Sequence, residues 1–89
     1  MAVLVTAEVP GQTVEGYDAM LAGLEGPIRA AKGFIAHGAG PDGETWRVFE
    51  VWESGKDAAD FFAQYVAPNL PPGVKPRRTV LELHALVRP

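Results

Sequence analysis

His37 and His84 are the two histidines of this 89-residue chain. Histidine is the side chain whose unperturbed titration falls nearest neutral pH, which suits it to take or return a proton. A carboxylate beside it would fix its orientation, and Glu50 and Glu82 stand at alternating strand positions that can share a sheet face with both histidines. His37, His84 and Glu50 are therefore the candidate catalytic groups, with general-base chemistry in partly apolar surroundings. The same side chains would serve equally well as hydrogen-bonding partners across a subunit interface, with no turnover.

Other chemistries are excluded more firmly. The chain has no cysteine, which removes disulfides, thiolate zinc sites and thiol nucleophiles. The histidines and acids lie on separate strands without ligand spacing such as a helical H-x-x-x-H, so no metal site is expected. Gly38 to Gly43 spells G-x-G-x-x-G, but a Trp-rich strand follows it where a dinucleotide site needs a helix. The net charge of −3 argues against binding nucleic acid or an anionic membrane. A basic cluster from Lys75 to Arg78 reads as a solvated start to the last strand, with a weak capacity to steer an acidic substrate. No apolar run approaches the ~20 residues of a membrane span, and no leader-like segment opens the chain, so a cytoplasmic location is expected.

The elements that must position these groups follow the order β-α-β-β-α-β in a single α+β domain, residues 1–89. Ala2 to Val9 is a β-branched run stopped by Pro10-Gly11. Thr13 is placed to cap a helix whose apolar stripe is Tyr17, Met20, Leu21 and Leu24, with Gly26-Pro27 expected to end or break it. Gly33–Gly40 and Glu44–Glu53 flank Pro41-Asp42-Gly43 and read as a β-hairpin. Ser54 caps a second helix with Ala58, Phe61, Phe62, Tyr65 and Val66 on its buried stripe. Four prolines then stiffen a connector to a last strand over Thr79–Val87.

Alternation divides each strand between two faces. One expected face is mostly aliphatic and helix-covered: Val3, Val5, Ala7, Val9, Arg47, Phe49, Val51, Leu81, Leu83, Ala85 and Val87. The other gathers Leu4, Thr6, Glu8, Trp46, Val48, Glu50, Trp52, Glu82, His84 and Leu86, and an even hairpin loop adds Ile35 and His37. Two tryptophans alone bring roughly 300–500 Å² of aromatic surface to that second face. Right-handed crossovers put both helices on the first face. A homodimer through the second is the economical expectation.

The run from Gly33 to Ser54, opening with G-F and closing with R-V-F-E-V-W-E-S, resembles the antibiotic biosynthesis monooxygenase-like group of the dimeric α/β-barrel superfamily. The likeness extends over nearly the whole chain in element order, and its most specific part is Glu50 to Ser54. It implies a ferredoxin-like fold with a four-stranded antiparallel sheet, dimerised face to face into a barrel. Trp52 matches the family tryptophan that lines the pocket. In a cofactor-free monooxygenase of this group, a His–carboxylate base would remove a phenolic or enolic proton and the anion would reduce O₂ directly. Trp52, Trp46 and Tyr17 would then clamp an aromatic, polyketide-like substrate, with Tyr65 within reach of the pocket. Haem-degrading members take their iron ligand from a histidine on the second helix, where this chain has none, so no cofactor is implied. The alternative is a non-catalytic ligand-binding or dimerisation module of the same fold.

Overall fold

The computed structural model covers residues 1–89. Strand β1 (Val3–Glu8) leads to helix α1 (Val14–Ala30), then to the hairpin of β2 (Phe34–Asp42) and β3 (Thr45–Trp52). Helix α2 (Gly55–Phe61) widens into a π turn over Phe62–Val66 and tightens into a 3₁₀ turn over Ala67–Asn69 before β4 (Arg77–Glu82). The strands form one antiparallel sheet in the order β2-β3-β1-β4. This is the expected ferredoxin-like arrangement. No helix is long and apolar enough to cross a membrane.

Both helix starts are capped as the sequence implies. Thr13 Oγ1 accepts from Gly16 N at 3.0 Å and Ser54 Oγ from Asp57 N at 3.1 Å, each worth about 1 kcal/mol. The expected break at Gly26-Pro27 is absent, because α1 runs on to Ala30 with Pro27 inside it. Proline removes one helical hydrogen bond, the one to the Gly23 carbonyl, and Gly23 lies at the exposed surface, open to solvent. The next residue, Ile28, packs into the core with Val3, Val5, Trp52, Ala58 and Phe61 and carries the helix through. Gly33 adopts φ +81, and a Cβ there would collide with Asp57 in the first turn of α2. Only glycine lets β2 start so close to that helix.

Asp42 faces Thr45 across a two-residue loop, Gly43-Glu44. The loop is even, as expected, but Pro41 and Asp42 belong to the strand. Gly43 takes φ +62 at the first central position, the place for glycine in a II′ turn. A bulge at Ile35 shifts the register, so that Phe34 rather than Ile35 stands opposite Trp52.

Register across β1 corrects the expected division of faces. Val3 stands opposite Trp52, Val5 opposite Glu50 and Ala7 opposite Val48. Residues directly opposite share a face, so Trp46, Val48, Glu50 and Trp52 lie beneath the helices with Val3, Val5, Ala7 and Val9. On the other side of β1, Ala7 pairs with Arg78 and Val5 with Val80. The bare face is instead Leu4, Thr6, Glu8, Arg47, Phe49, Val51, Thr79 and Leu81. Alternation fixes which residues of one strand go together but not how that parity matches its neighbour, and a shift of one residue exchanges the faces. The last strand also stops at Glu82, short of Val87. Beyond the bond from Leu83 N to Ala2 O at 2.9 Å, β4 has no strand on that side to pair with.

Candidate functional site

The helix-covered face is solid at one end and hollow at the other. At the solid end Trp52 is wholly buried, with Phe34 edge-on at 5.5 Å and Phe61 tilted against it at 5.5 Å. At the other end α1 stands off the sheet. Tyr17, Met20 and Leu24 form one wall, Ala7, Val9, Trp46 and Val48 the floor, and Phe62, Val66 and Leu70 the opposite wall. The cavity between them has a volume of about 90 Å³ and opens to solvent, and its lining is mostly apolar. That suits a small hydrophobic ligand.

A chain of hydrogen bonds ends in this cavity. The Trp52 indole N–H donates to Glu50 Oε1 at 3.0 Å, and His37 Nδ1 lies 2.8 Å from Glu50 Oε2. The other imidazole nitrogen, Nε2, lies 2.5 Å from the Tyr17 hydroxyl. Tyr17 and His37 have nearly parallel rings, at an interplanar angle of 4°, and Tyr17 leans on Trp46 with centroids 5.0 Å apart. Strand pairing explains half of this, since His37 stands directly opposite Glu50. The other half comes from the helix stripe, which drops Tyr17 onto them.

Burial pushes the Glu50 carboxyl up. Hydrogen bonds with His37 and Trp52, and then the charges of His37 and Arg78, outweigh that and hold it below its ordinary value. Glu50 is thus a carboxylate, and an acceptor only. In the neutral imidazole the proton facing Glu50 sits on Nδ1, which leaves Nε2 to accept from the Tyr17 O–H. Burial first, then the charges of Glu50 and Asp18, push the Tyr17 phenol up, so it keeps its proton and donates.

Of the expected site residues, the cavity brings together His37, Glu50, Tyr17 and Trp46. Trp52 does not line it; it lies in the core and anchors Glu50 from behind. His84 is exposed in the segment after β4 and does not line the cavity, because the strand expected to carry it ends first. Tyr65 stacks on Phe61 at 5.0 Å and lines a separate polar hollow with Lys32, Lys56 and Asp60. Arg78, expected in a solvated cluster, is half-buried and lines the cavity. Its guanidinium lies 4.0 Å over the Phe62 ring. Only its pairing with Ala7 reveals this, and the sequence carries no sign of that register.

The residues present do not fit a haem. Neither α2 nor its π extension has a histidine to meet an iron, His37 has both nitrogens engaged, and His84 lies outside the cavity. No group of three or more His, Asp or Glu side chains is arranged to hold a metal ion.

No family model matches the chain, and no curated protein does. Solved structures do. A single-site variant of SnoaB, a cofactor-independent oxygenase from Streptomyces nogalater, superposes with a TM-score of 0.68 at 11% identity, covering 97% of this chain and 96% of that one. Rv0793 from Mycobacterium tuberculosis gives 0.67 at 19% identity over 99% and 100% of the two chains. The heme-degrader MhuD from the same organism, with two hemes bound in its active site, gives 0.63 at 17% identity over 99% and 100%. The chain shares the ferredoxin-like fold of these proteins.

Proposed function

We propose that the chain is a small cytoplasmic, cofactor-independent monooxygenase-like enzyme whose substrate is a hydrophobic aromatic, polyketide-like metabolite. The observation that carries this is the Tyr17–His37–Glu50 chain opening into an apolar cavity. A substrate hydroxyl beside Tyr17 gives its proton to the phenol oxygen while Tyr17 passes its own to His37 Nε2. The imidazolium so formed is stabilised by the Glu50 carboxylate, and the substrate is left as an electron-rich anion. That anion reduces O₂ without help: a ring CH₂ becomes C=O, one oxygen atom enters the product and the other leaves as water. The fold shared with SnoaB supports this reading; the haem chemistry of MhuD is not carried over, because the ligands for it are missing.

A homodimer through the bare sheet face belongs to the same proposal. The single chain buries only nine residues, while Phe49 and Leu81 stand exposed on that face beside Leu4 and Val51. Covering such a patch with its own copy is the simplest way to extend a core this small.

The test is oxygen uptake with a hydroxylated anthrone, whose ring CH₂ lies beside a phenol. One O₂ should be consumed per ketone formed, with one atom of ¹⁸O₂ in the product, and His37→Ala should abolish uptake. Binding of the anthrone without uptake above the buffer rate would favour the ligand-binding module instead.

A further inference from the structure

The reading of the cavity as a substrate site leaves one of its residues without a task. Arg78 projects from β4 on the helix-covered face, opposite Ala7, and lines the cavity. No side-chain or backbone oxygen accepts from its guanidinium, and no carboxylate lies within ion-pair distance of it. Glu50 is near enough to act on its charge. Yet both Glu50 oxygens are already bonded, one with His37 and the other with Trp52. Partial burial pulls Arg78 below its ordinary pKa, although the charge of Glu50 acts the other way. What fixes it is the face of Phe62, a contact that leaves the N–H edge of the guanidinium free. An unpartnered guanidinium in an apolar cavity points to a ligand that brings its own oxygens.

We infer that Arg78 is an anion-recognition residue and that the ligand of this cavity is an aromatic carboxylate, its acid group held by Arg78 and its rings against Tyr17, Trp46 and Phe62. The planar guanidinium offers a carboxylate two parallel hydrogen bonds, and surroundings this apolar strengthen them. The inference rests on the cavity being the substrate site and narrows the substrate class to acids. If Arg78 served only to offset the charge of Glu50, ligands with and without a carboxylate would bind alike.

The experiment is calorimetric binding near neutral pH, without oxygen, of 2-naphthoate and its neutral counterpart 2-naphthylmethanol. The native protein should bind the acid at least about tenfold more tightly. Arg78→Gln should bring the two within about twofold of each other by loss of affinity for the acid, and Arg78→Lys should keep part of the preference. The alcohol doubles as the control that the variant is folded. Equal binding of acid and alcohol by the native protein overturns the inference, as does a preference that survives in Arg78→Gln. Either result leaves the oxygenase reading to the oxygen-uptake test. If neither probe binds, the inference also falls, and the oxygenase reading still stands or falls on oxygen uptake with the anthrone.

Discussion

Trp52 donates its indole N–H to Glu50 Oε1 at 3.0 Å, so the most deeply buried side chain of the core holds the carboxylate that orients His37. Packing and site geometry are thereby joined. Phe34, Phe61 and Ile28 fix Trp52, Trp52 fixes one oxygen of Glu50, and the other oxygen is left at 2.8 Å from His37. A base positioned this way needs no rearrangement when the imidazole takes up a proton.

Glu50→Gln tests that arrangement with almost no change of shape. The amide has one acceptor and one donor group, so it cannot satisfy both Trp52 and His37 Nδ1–H. If it accepts from Trp52, its NH₂ faces His37 and forces the other tautomer, with the proton on Nε2. The imidazole then donates to Tyr17 and can no longer take a proton from it. The expected result is a rate of oxygen uptake about 10²–10⁴-fold lower and a stability loss of about 1.5–3 kcal/mol by urea denaturation. Uptake within a few-fold of the native rate would show that Glu50 does not act through His37.

The same carboxylate makes the fold sensitive to acid. Its folded pKa lies below its unfolded one, because the bonds with His37 and Trp52 and the nearby charges outweigh burial. The folded state therefore holds the proton less tightly than the unfolded chain does. The resulting stabilisation is fully present above the unfolded value of about 4.3 and is lost as pH falls from there through the folded value. Urea midpoints measured from pH 6 down to 3 should fall more steeply for the native protein than for Glu50→Gln. Parallel curves would contradict the assignment.

Tyr17→Phe removes one oxygen and leaves the ring against Trp46. The phenol is the last donor of the chain before the cavity, so oxygen uptake should drop by about 10²-fold, while stability changes by no more than about 1.5 kcal/mol. A signature at alkaline pH accompanies this. Burial, then the charge of Glu50, raises the Tyr17 pKa, so its contribution to stability is intact below about 10 and is lost as pH rises through the folded value. Tyr17→Phe should lose less stability above pH 10 than the native protein. An unchanged uptake rate would assign Tyr17 to packing alone.

How far the sequence foretells this site depends on which physical rule governs each part. The His37–Glu50 pair was legible because an even hairpin loop and alternation act within one short stretch of chain. Tyr17 was legible as part of a helical stripe. The position of Trp52 was not, because its neighbour across β1 is set by long-range pairing, and the two parities of Val3 to Glu8 look alike when Leu4 and Val3 are equally apolar. Arg78 was hidden for the same reason. His84 failed differently: β propensity extends to Val87, but a strand persists only where another lies beside it to pair with.

That register also decides which surface can close a dimer. With Val3 and Val5 committed to the core, Leu4 faces away from the helices between Val51 on β3 and Leu81 on β4. Leu4→Glu therefore sets a charge in the middle of the bare face without touching the cavity or the Glu50 network. Burying an unpaired carboxylate at an apolar seam costs several kcal/mol, more than enough to release a protomer at micromolar concentration. Light scattering should give the mass of one chain for Leu4→Glu and of two for the native protein, while 2-naphthylmethanol still binds. Trp52→Phe, by contrast, should leave the dimer intact, because Trp52 belongs to the opposite face. A Leu4→Glu protein that remains dimeric would place the interface somewhere other than this sheet.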